Sequence, residues 1–203
     1  MSEHYFSERP ASAHARQEIH AHLRGRDYVF ITDRSVFSRD RVDFGSQLLI
    51  ETMSFSDDAK VLDLGCGYGP IGIVAADLAP RGFAYLCDIN ARAVQLAREN
   101  ITLNRIRNAG ARVSDGFADL PSDLVFDAVV TNPPIRAGKA TVYALLDAAA
   151  GRLSPGGSLW VVVGNKQGAD SLQRHLEEVF AEVGVSERRA GFRVLRASSP
   201  RRL

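Results

Sequence analysis

At 203 residues the chain is long enough for one domain with a sizeable core. Hydrophobic residues make up 45% and charged residues 24%, ordinary globular usage, and no run of about 18 apolar residues marks a membrane span. The net charge of +1 neither demands nor excludes a nucleic-acid partner. MSEHYFSERPASAHARQEIH lacks an apolar signal core, so export is not expected and a cytoplasmic location is. Cys66 and Cys87 fit a reducing compartment, and the five His residues are not spaced with them as a zinc site requires, so no metal is expected.

Residues 1–26 are polar and expected to be partly helical or loosely ordered. Tyr28 to Thr32 reads as a short strand, with Arg34-Ser35 turning the chain before Val36-Phe37. Asp43 to Met53 has the pattern of a helix leading into the main domain. This divides the chain into an N-terminal extension, 1–55, with a short hairpin packed on the main domain, and that domain itself, 56–203.

From Lys60 onward the pattern is regular. Val61 to Asp63, Phe83 to Asp88, Ala111 to Asp115, Phe126 to Thr131 and Ser158 to Val163 are short apolar runs that read as buried strands. Between them lie helical patterns, such as Ala93, Ala97 and Ile101 behind Asn90, a good N-cap, and Leu172, Leu176 and Val179. Alternating strands and helices predict a parallel sheet covered on both faces. The last two strands, Val183 to Arg188 and Phe192 to Ala197, are joined by too short a link for a crossover helix, so an antiparallel hairpin is expected at the sheet edge. From Gly184 to Leu203 six Arg stand against one acid, Glu187, a solvated end or a phosphate-binding patch.

VLDLGCGYGPIG, residues 61–72, joins the first strand of the main domain to a helix. Gly67, Gly69 and Gly72 satisfy the dinucleotide pattern G-x-G-x-x-G, which by itself would suit a dehydrogenase. A second frame is Asp63 followed by the alternating Gly65, Gly67 and Gly69, where glycine lets backbone approach a ligand and take positive φ. Asp88 ends the second strand nineteen residues beyond Gly69, where a carboxylate can accept ribose hydroxyls. Asp115-Gly116 closes the third strand and could meet an adenine or be a plain turn. These positions lie at carboxyl ends of strands, where open α/β sheets bind ligands.

VLDLGCGYGPIG, CDIN, SDGF and TNPPIRAGK, in this order, resemble a class I S-adenosylmethionine-dependent methyltransferase. RDYVFITDRSVFSRDRVDFGSQLLIE upstream, with NKQGA and GFRVL downstream, resembles the ribosomal-RNA small-subunit methyltransferase C-like family across roughly residues 27–196. The family's best-known members methylate guanine N2 of small-subunit ribosomal RNA. Full-length relatives carry two tandem copies of the domain, the first degenerate, whereas this chain has one. Many exocyclic-amine methyltransferases also have an aromatic residue after the two prolines, where this chain has Ile135.

The resemblance implies a doubly wound α/β fold with a seven-stranded, mostly parallel, Rossmann-like sheet, an antiparallel C-terminal hairpin and a small N-terminal extension. It implies S-adenosyl-L-methionine as cofactor, held by Asp63, Gly65, Gly67, Gly69, Asp88, Ile89, Asp115, Gly116 and Asn132. Ribosomal RNA or the pre-ribosomal small subunit is the implied partner. Asn132, Pro133 and Pro134 are the implied catalytic segment. An exocyclic amine is a poor nucleophile because its lone pair is delocalised into the ring. Acceptors on its hydrogens, the Asn132 oxygen and the Pro133 carbonyl, favour the pyramidal form that can attack. Each proline keeps the residue before it extended, which stiffens the segment. Phe37, Arg39, Ile135, Arg136 and Lys139 are expected to contact substrate; Ile135 cannot stack strongly on a base, so Phe37, Phe44 or Tyr143 could do so instead, against the plainer readings of core packing and surface ion pairs. Asn-Pro-Pro equally suits a protein glutamine N-methyltransferase. A non-catalytic RNA-binding assembly factor that keeps the cofactor pocket is the remaining alternative.

Overall fold

The computed structural model describes residues 15–34, 36 and 38–201. Seven strands form one sheet: β3 (Lys60–Leu64), β4 (Phe83–Asp88), β5 (Ala109–Val113), β6 (Phe126–Thr131), β7 (Leu153–Gly164), β8 (Phe180–Arg189) and β9 (Phe192–Pro200). Their order is β5-β4-β3-β6-β7-β9-β8, parallel from β5 to β7, with β9 antiparallel to both β7 and β8. The β8–β9 hairpin therefore closes one edge, its turn made by Ala190 and Gly191, both at positive φ. The order reverses between β3 and β6, the switch point at which doubly wound sheets bind ligands.

Among the described residues five α-helices cover the sheet: α1 (Phe44–Thr52), α2 (Pro70–Leu78), α3 (Ala91–Leu103), α4 (Lys139–Ala150) and α5 (Ala169–Val179). The central strands β3 and β6 and the second half of β7 are buried on both faces, so they read as nearly continuous apolar runs. One core layer joins Leu48, Leu49 and Ile50 of α1 to α2, α3 and the sheet. The other joins Val142 and Leu146 of α4 to Leu172 and Leu176 of α5 and the opposite sheet face. Asn90 caps α3 as expected, its side chain accepting from the N–H groups of Arg92 and Ala93.

The N-terminal segment departs from its expected form. The first 14 residues lie outside the described part, but Gln17–Leu23 is a strand, β1, not helix or loose chain, and it pairs antiparallel with β2 (Arg26–Thr32). The hairpin turn is at Arg24 and Gly25, which take φ of 51° and 77°, as a two-residue turn between twisted strands demands. Arg34 lies in the expected turn, closed by the Val36 N–H donating to the Asp33 carbonyl at 3.2 Å, while Ser35 and Phe37 lie outside the described residues. The alternation Ile19, Ala21, Leu23 is the signal that a polar reading of this stretch passes over.

Asn100 of α3 and Asn104, the C-cap of that helix, hold this hairpin to the sheet domain. Asn104 accepts from the Val29 N–H at 3.1 Å and donates to the Val29 carbonyl at 2.7 Å. One turn earlier, Asn100 accepts from the Ile31 N–H at 2.7 Å and donates to the Ile31 carbonyl at 3.0 Å. Each amide thus satisfies both backbone groups of one β2 residue, as a neighbouring strand would. Asn100 also donates to the Tyr68 carbonyl at 2.9 Å, tying the hairpin to the glycine loop.

Candidate active site

The carboxyl ends of β3, β4 and β6 carry the chemistry. After β3 the chain turns sharply: Gly65 and Cys66 both donate their N–H to the Cys87 carbonyl at 2.9 Å. Gly65 and Gly67 have φ of +76° and +56°, and a Cβ on either would meet nothing within 4 Å. Backbone at these two points is therefore bare on the ligand side, and only glycine takes the conformation without strain. Gly69 differs. It is buried at the N-cap position of α2, where a Cβ would press on Leu86, Ala97 and Ile73 at 3.1–3.3 Å.

Asp63, on β3, is fully buried. Its Oδ2 accepts the Gly72 N–H at 2.8 Å, while Oδ1 has no partner. An orphaned buried oxygen is costly unless something supplies a donor. Burial pushes its carboxyl up to about 7, opposed by the Gly72 N–H and assisted by the charge of Asp88. A cationic donor arriving here would be strongly welcomed.

Asp88 ends β4 and spans the mouth. Its Oδ2 accepts the Gly67 N–H and its Oδ1 the Asn90 N–H, both at 2.8 Å. Each oxygen retains a second lone pair, so the carboxylate can still accept two hydroxyls. Burial raises its carboxyl above the usual range, against the two N–H donors. Ile89 follows, partly buried. β5 ends two residues earlier than expected, at Val113, so Asp115 and Gly116 sit in the loop beyond it, Asp115 exposed and Gly116 at φ +55°. The orphaned Asp63 oxygen, the bare glycine backbone and the Asp88 carboxylate together fit a ligand with an ammonium group at one end and a ribose diol at the other.

β6 delivers the Asn-Pro-Pro segment beside this loop, and Thr131 Oγ1 donates to the Leu64 carbonyl at 2.7 Å to fix the spacing. The Asn132 Nδ2 donates to Asp43 Oδ1 at 3.2 Å and to Ser46 Oγ at 3.0 Å. Asp43 is also the N-cap of α1, accepting the Ser46 N–H at 3.1 Å. A carboxylate only accepts, so the amide NH2 must face it. Asn132 Oδ1 is left on the other side, with no partner among the described residues and without being a buried orphan. The Pro133 carbonyl accepts the Ile135 N–H at 2.8 Å and keeps one lone pair free. Pro133 is buried and Pro134 partly so, and no peptide bond among the described residues is cis.

The expected substrate residues are dispersed around this centre. Arg39 is half-buried and pairs with Asp40. Ile135 packs toward α4 and α5, and Arg136 and Lys139 are exposed. Phe37 lies outside the described residues. The sequence reading passed over Asp43 and Ser46, whose Asp-x-x-Ser spacing at the start of a helix was the available signal. Among the described residues no group of three His, Cys, Asp or Glu could hold a metal ion, and no helix is long and apolar enough to cross a membrane.

The fold and this cradle define a class I S-adenosylmethionine-dependent methyltransferase. Residues 27–196 match the methyltransferase small domain family, and the chain belongs to it, within its ribosomal-RNA small-subunit methyltransferase C-like branch. It is 43% identical over 199 residues to uncharacterized protein YbxB of Bacillus subtilis, covering 97% of this chain and 98% of that one. Over 143 residues it is 35% identical to ribosomal RNA small subunit methyltransferase C of Citrobacter koseri, covering 68% of this chain and 41% of that protein. It superposes on the Thermus thermophilus 16S rRNA N2 G1207 methyltransferase, solved in complex with AdoMet and guanosine, with a TM-score of 0.82 and 28% identity. That match covers 94% of this chain and 52% of the other, so the chain spans about half the length of these methyltransferases.

Proposed function

We propose that this protein methylates an exocyclic amine of a nucleobase, guanine N2 of small-subunit ribosomal RNA, in the cytoplasm. The observation that carries the reading is the orientation of the Asn132 amide. With Nδ2 held by Asp43 and Ser46, Oδ1 is committed to accepting, and an amine hydrogen is what an acceptor at this point would take. The similarity to a structure described as an N2-guanine methyltransferase bound to guanosine supports the same substrate.

Bound S-adenosylmethionine supplies an electrophilic sulfonium methyl group. Asp63 would receive its ammonium group on the orphaned Oδ1, which returns that carboxyl to its charged form. Gly65 and Gly67 would let the ligand lie against backbone, and Asp88 would accept the ribose hydroxyls on its remaining lone pairs. Ile89, Asp115 and Gly116 would line the adenine end. At the target, Asn132 Oδ1 and the free lone pair of the Pro133 carbonyl accept the two amine hydrogens. This draws the nitrogen out of conjugation and stabilises the positive charge that grows on it. Pro134 keeps the carbonyl aimed by holding Pro133 extended. On accepting the methyl group in place of the sulfonium sulfur, the nitrogen would shed one proton to solvent.

The Asp43–Asn132 bond supports treating residues 1–55 as an extension that serves the catalytic domain, 56–203. Incubating small-subunit RNA and total protein with methyl-labelled cofactor tests the reading. Label in RNA that digests to N2-methylguanosine supports it; label confined to protein glutamine overturns it.

A further inference from the structure

An aromatic pair stands beside the Asn132 amide. Phe44, the first residue of α1, keeps 39% of its surface exposed. Among the described residues the other exposed large apolar side chains are Leu103, which ends α3, and Val125, which precedes the central strand β6. The Phe44 ring lies 5.7 Å from that of half-buried Phe192 at the start of β9, the planes tilted by 45°. Both rings are tied to the site through Gly45. From the place of a Cβ on Gly45, Asp43 Oδ1 is 3.1 Å away and Phe192 Cε1 is 3.2 Å away. The carboxylate that orients Asn132 and the Phe192 ring therefore flank one residue too small to separate them. In register, Thr131 pairs with Val161, and Phe192 with Gly164 three residues further on. At about 3.3 Å per residue this sets Phe192 about 10 Å beyond the end of β6, on the ligand side.

We propose that Phe44 and Phe192 form the wall on which the target base stacks, in place of an aromatic side chain after the two prolines. The proposal rests on reading the reaction as nucleobase methylation. Ile135 presents no π face and packs toward the other core layer. A planar base whose amine sits at Asn132 needs a flat neighbour, and this pair is the exposed aromatic surface on the Asp43 side. Charge complementarity points to a nucleic acid as the occupant. Arg41, Arg136, Lys139, Lys166, Arg188 and Arg189 are all exposed. They come from the segments at this edge: the loop before α1, the segments after β6 and β7, and the end of β8 next to Phe192. None makes an ion pair with an acid among the described residues. Aromatic rings inside a cationic rim are how proteins hold single strands, backbone on the charges and bases on the rings.

A short single-stranded oligoribonucleotide carrying one 2-aminopurine tests this, because that base has an amine at the position of guanine N2 and loses fluorescence on stacking. The full chain is expected to quench it. Phe44→Leu and Phe192→Leu keep apolar bulk but remove the ring, and each should abolish the quench and weaken binding roughly tenfold, the scale of one base–aromatic stack. Leu103→Ala should match wild type in both. Cofactor affinity, read by calorimetry, should be unchanged in all three. If the Leu variants lose cofactor affinity as well, Phe44→Tyr, which keeps the ring, must still quench for the wall to stand. Wild-type quenching by Phe44→Leu and Phe192→Leu, in a protein that methylates guanine, overturns the wall alone. No quench in wild type, with methylation of a glutamine peptide in place of RNA, overturns the nucleobase reading and the wall with it.

Discussion

Asn132 and Asp43 lie 89 residues apart in the chain and meet at 3.2 Å, the Asn132 amide donating to the carboxylate that caps α1. One carboxylate oxygen thus starts a helix of the N-terminal extension and orients the residue expected to hold the target amine. With the Ser46 hydroxyl at 3.0 Å on the same nitrogen, both donors of the amide are committed. Flipping it would put a carbonyl oxygen against a carboxylate, which the charges forbid.

The bracing predicts a non-additive pair. Asn132→Ala is expected to lower the single-turnover methylation rate by about two to three orders of magnitude, the loss seen when an oriented polar group leaves a reacting centre. Asp43→Ala should lower it less, and adding Asp43→Ala to Asn132→Ala should change almost nothing further. Cofactor affinity should stay within a few-fold throughout. Independent, additive losses would show that Asp43 acts elsewhere, through its cap alone.

Asp63 predicts a pH dependence. A neutral folded Asp63 keeps a proton that the unfolded chain releases above about pH 4, so its contribution to stability is complete below that value. It is lost as the pH rises through about 7, where the folded carboxyl ionises. Asp63→Asn removes this loss, so the variant should gain in melting temperature over wild type between about pH 5 and pH 8. Its cofactor affinity should fall, since an amide cannot answer an ammonium group with charge. A melting difference that ignores pH would mean that the buried carboxyl is ionised throughout.

Asp88 predicts a separation of binding from folding. Asp88→Asn keeps an oxygen for a backbone N–H and should weaken cofactor binding by about 1.5–3 kcal/mol, the worth of hydrogen bonds to a charged group. Asp88→Ala should add a loss of melting temperature, because the Gly67 and Asn90 N–H groups both lose their acceptor. Calorimetric titration beside thermal melts distinguishes them; wild-type affinity in both removes Asp88 from the cofactor site.

The cationic edge predicts salt dependence. RNA affinity should fall steeply with added salt while cofactor affinity changes little. Charge reversal at Arg39 and Arg41 should reduce RNA methylation and spare cofactor binding. Arg39 already pairs with Asp40, so Arg41 should carry more of the effect. Salt-insensitive RNA binding would contradict this.

What could be read from the sequence was what local pattern determines. β4 and β6 fall on the expected residues because buried parallel strands read as apolar runs between turn signals. The glycine loop and Asn-Pro-Pro were visible because their chemistry needs those residue types in fixed order. The missed features depend on distant partners. Asn100 and Asn104 look like ordinary polar residues of a helix until β2 lies beside them. Asp43 reads as a helix cap, and nothing local says that its carboxylate also holds Asn132. Phe44 was a visible candidate for stacking on a base, but its partner Phe192 was not, because the two meet only where β9 folds back along β7. The hairpin strand β1 is a different case, since its alternation was present and was outweighed by the surrounding polar composition.

The most direct test of the central claim is a nucleotide-resolved one. Small-subunit ribosomal RNA lacking the modification is incubated with methyl-labelled S-adenosylmethionine and either wild type or Asn132→Ala, and the digested nucleosides are resolved by mass. The account predicts N2-methylguanosine with the wild-type protein and a yield lower by about two to three orders of magnitude with the variant at equal time. Methylated guanosine at the same rate from both proteins, or label found only on protein glutamine, would contradict it.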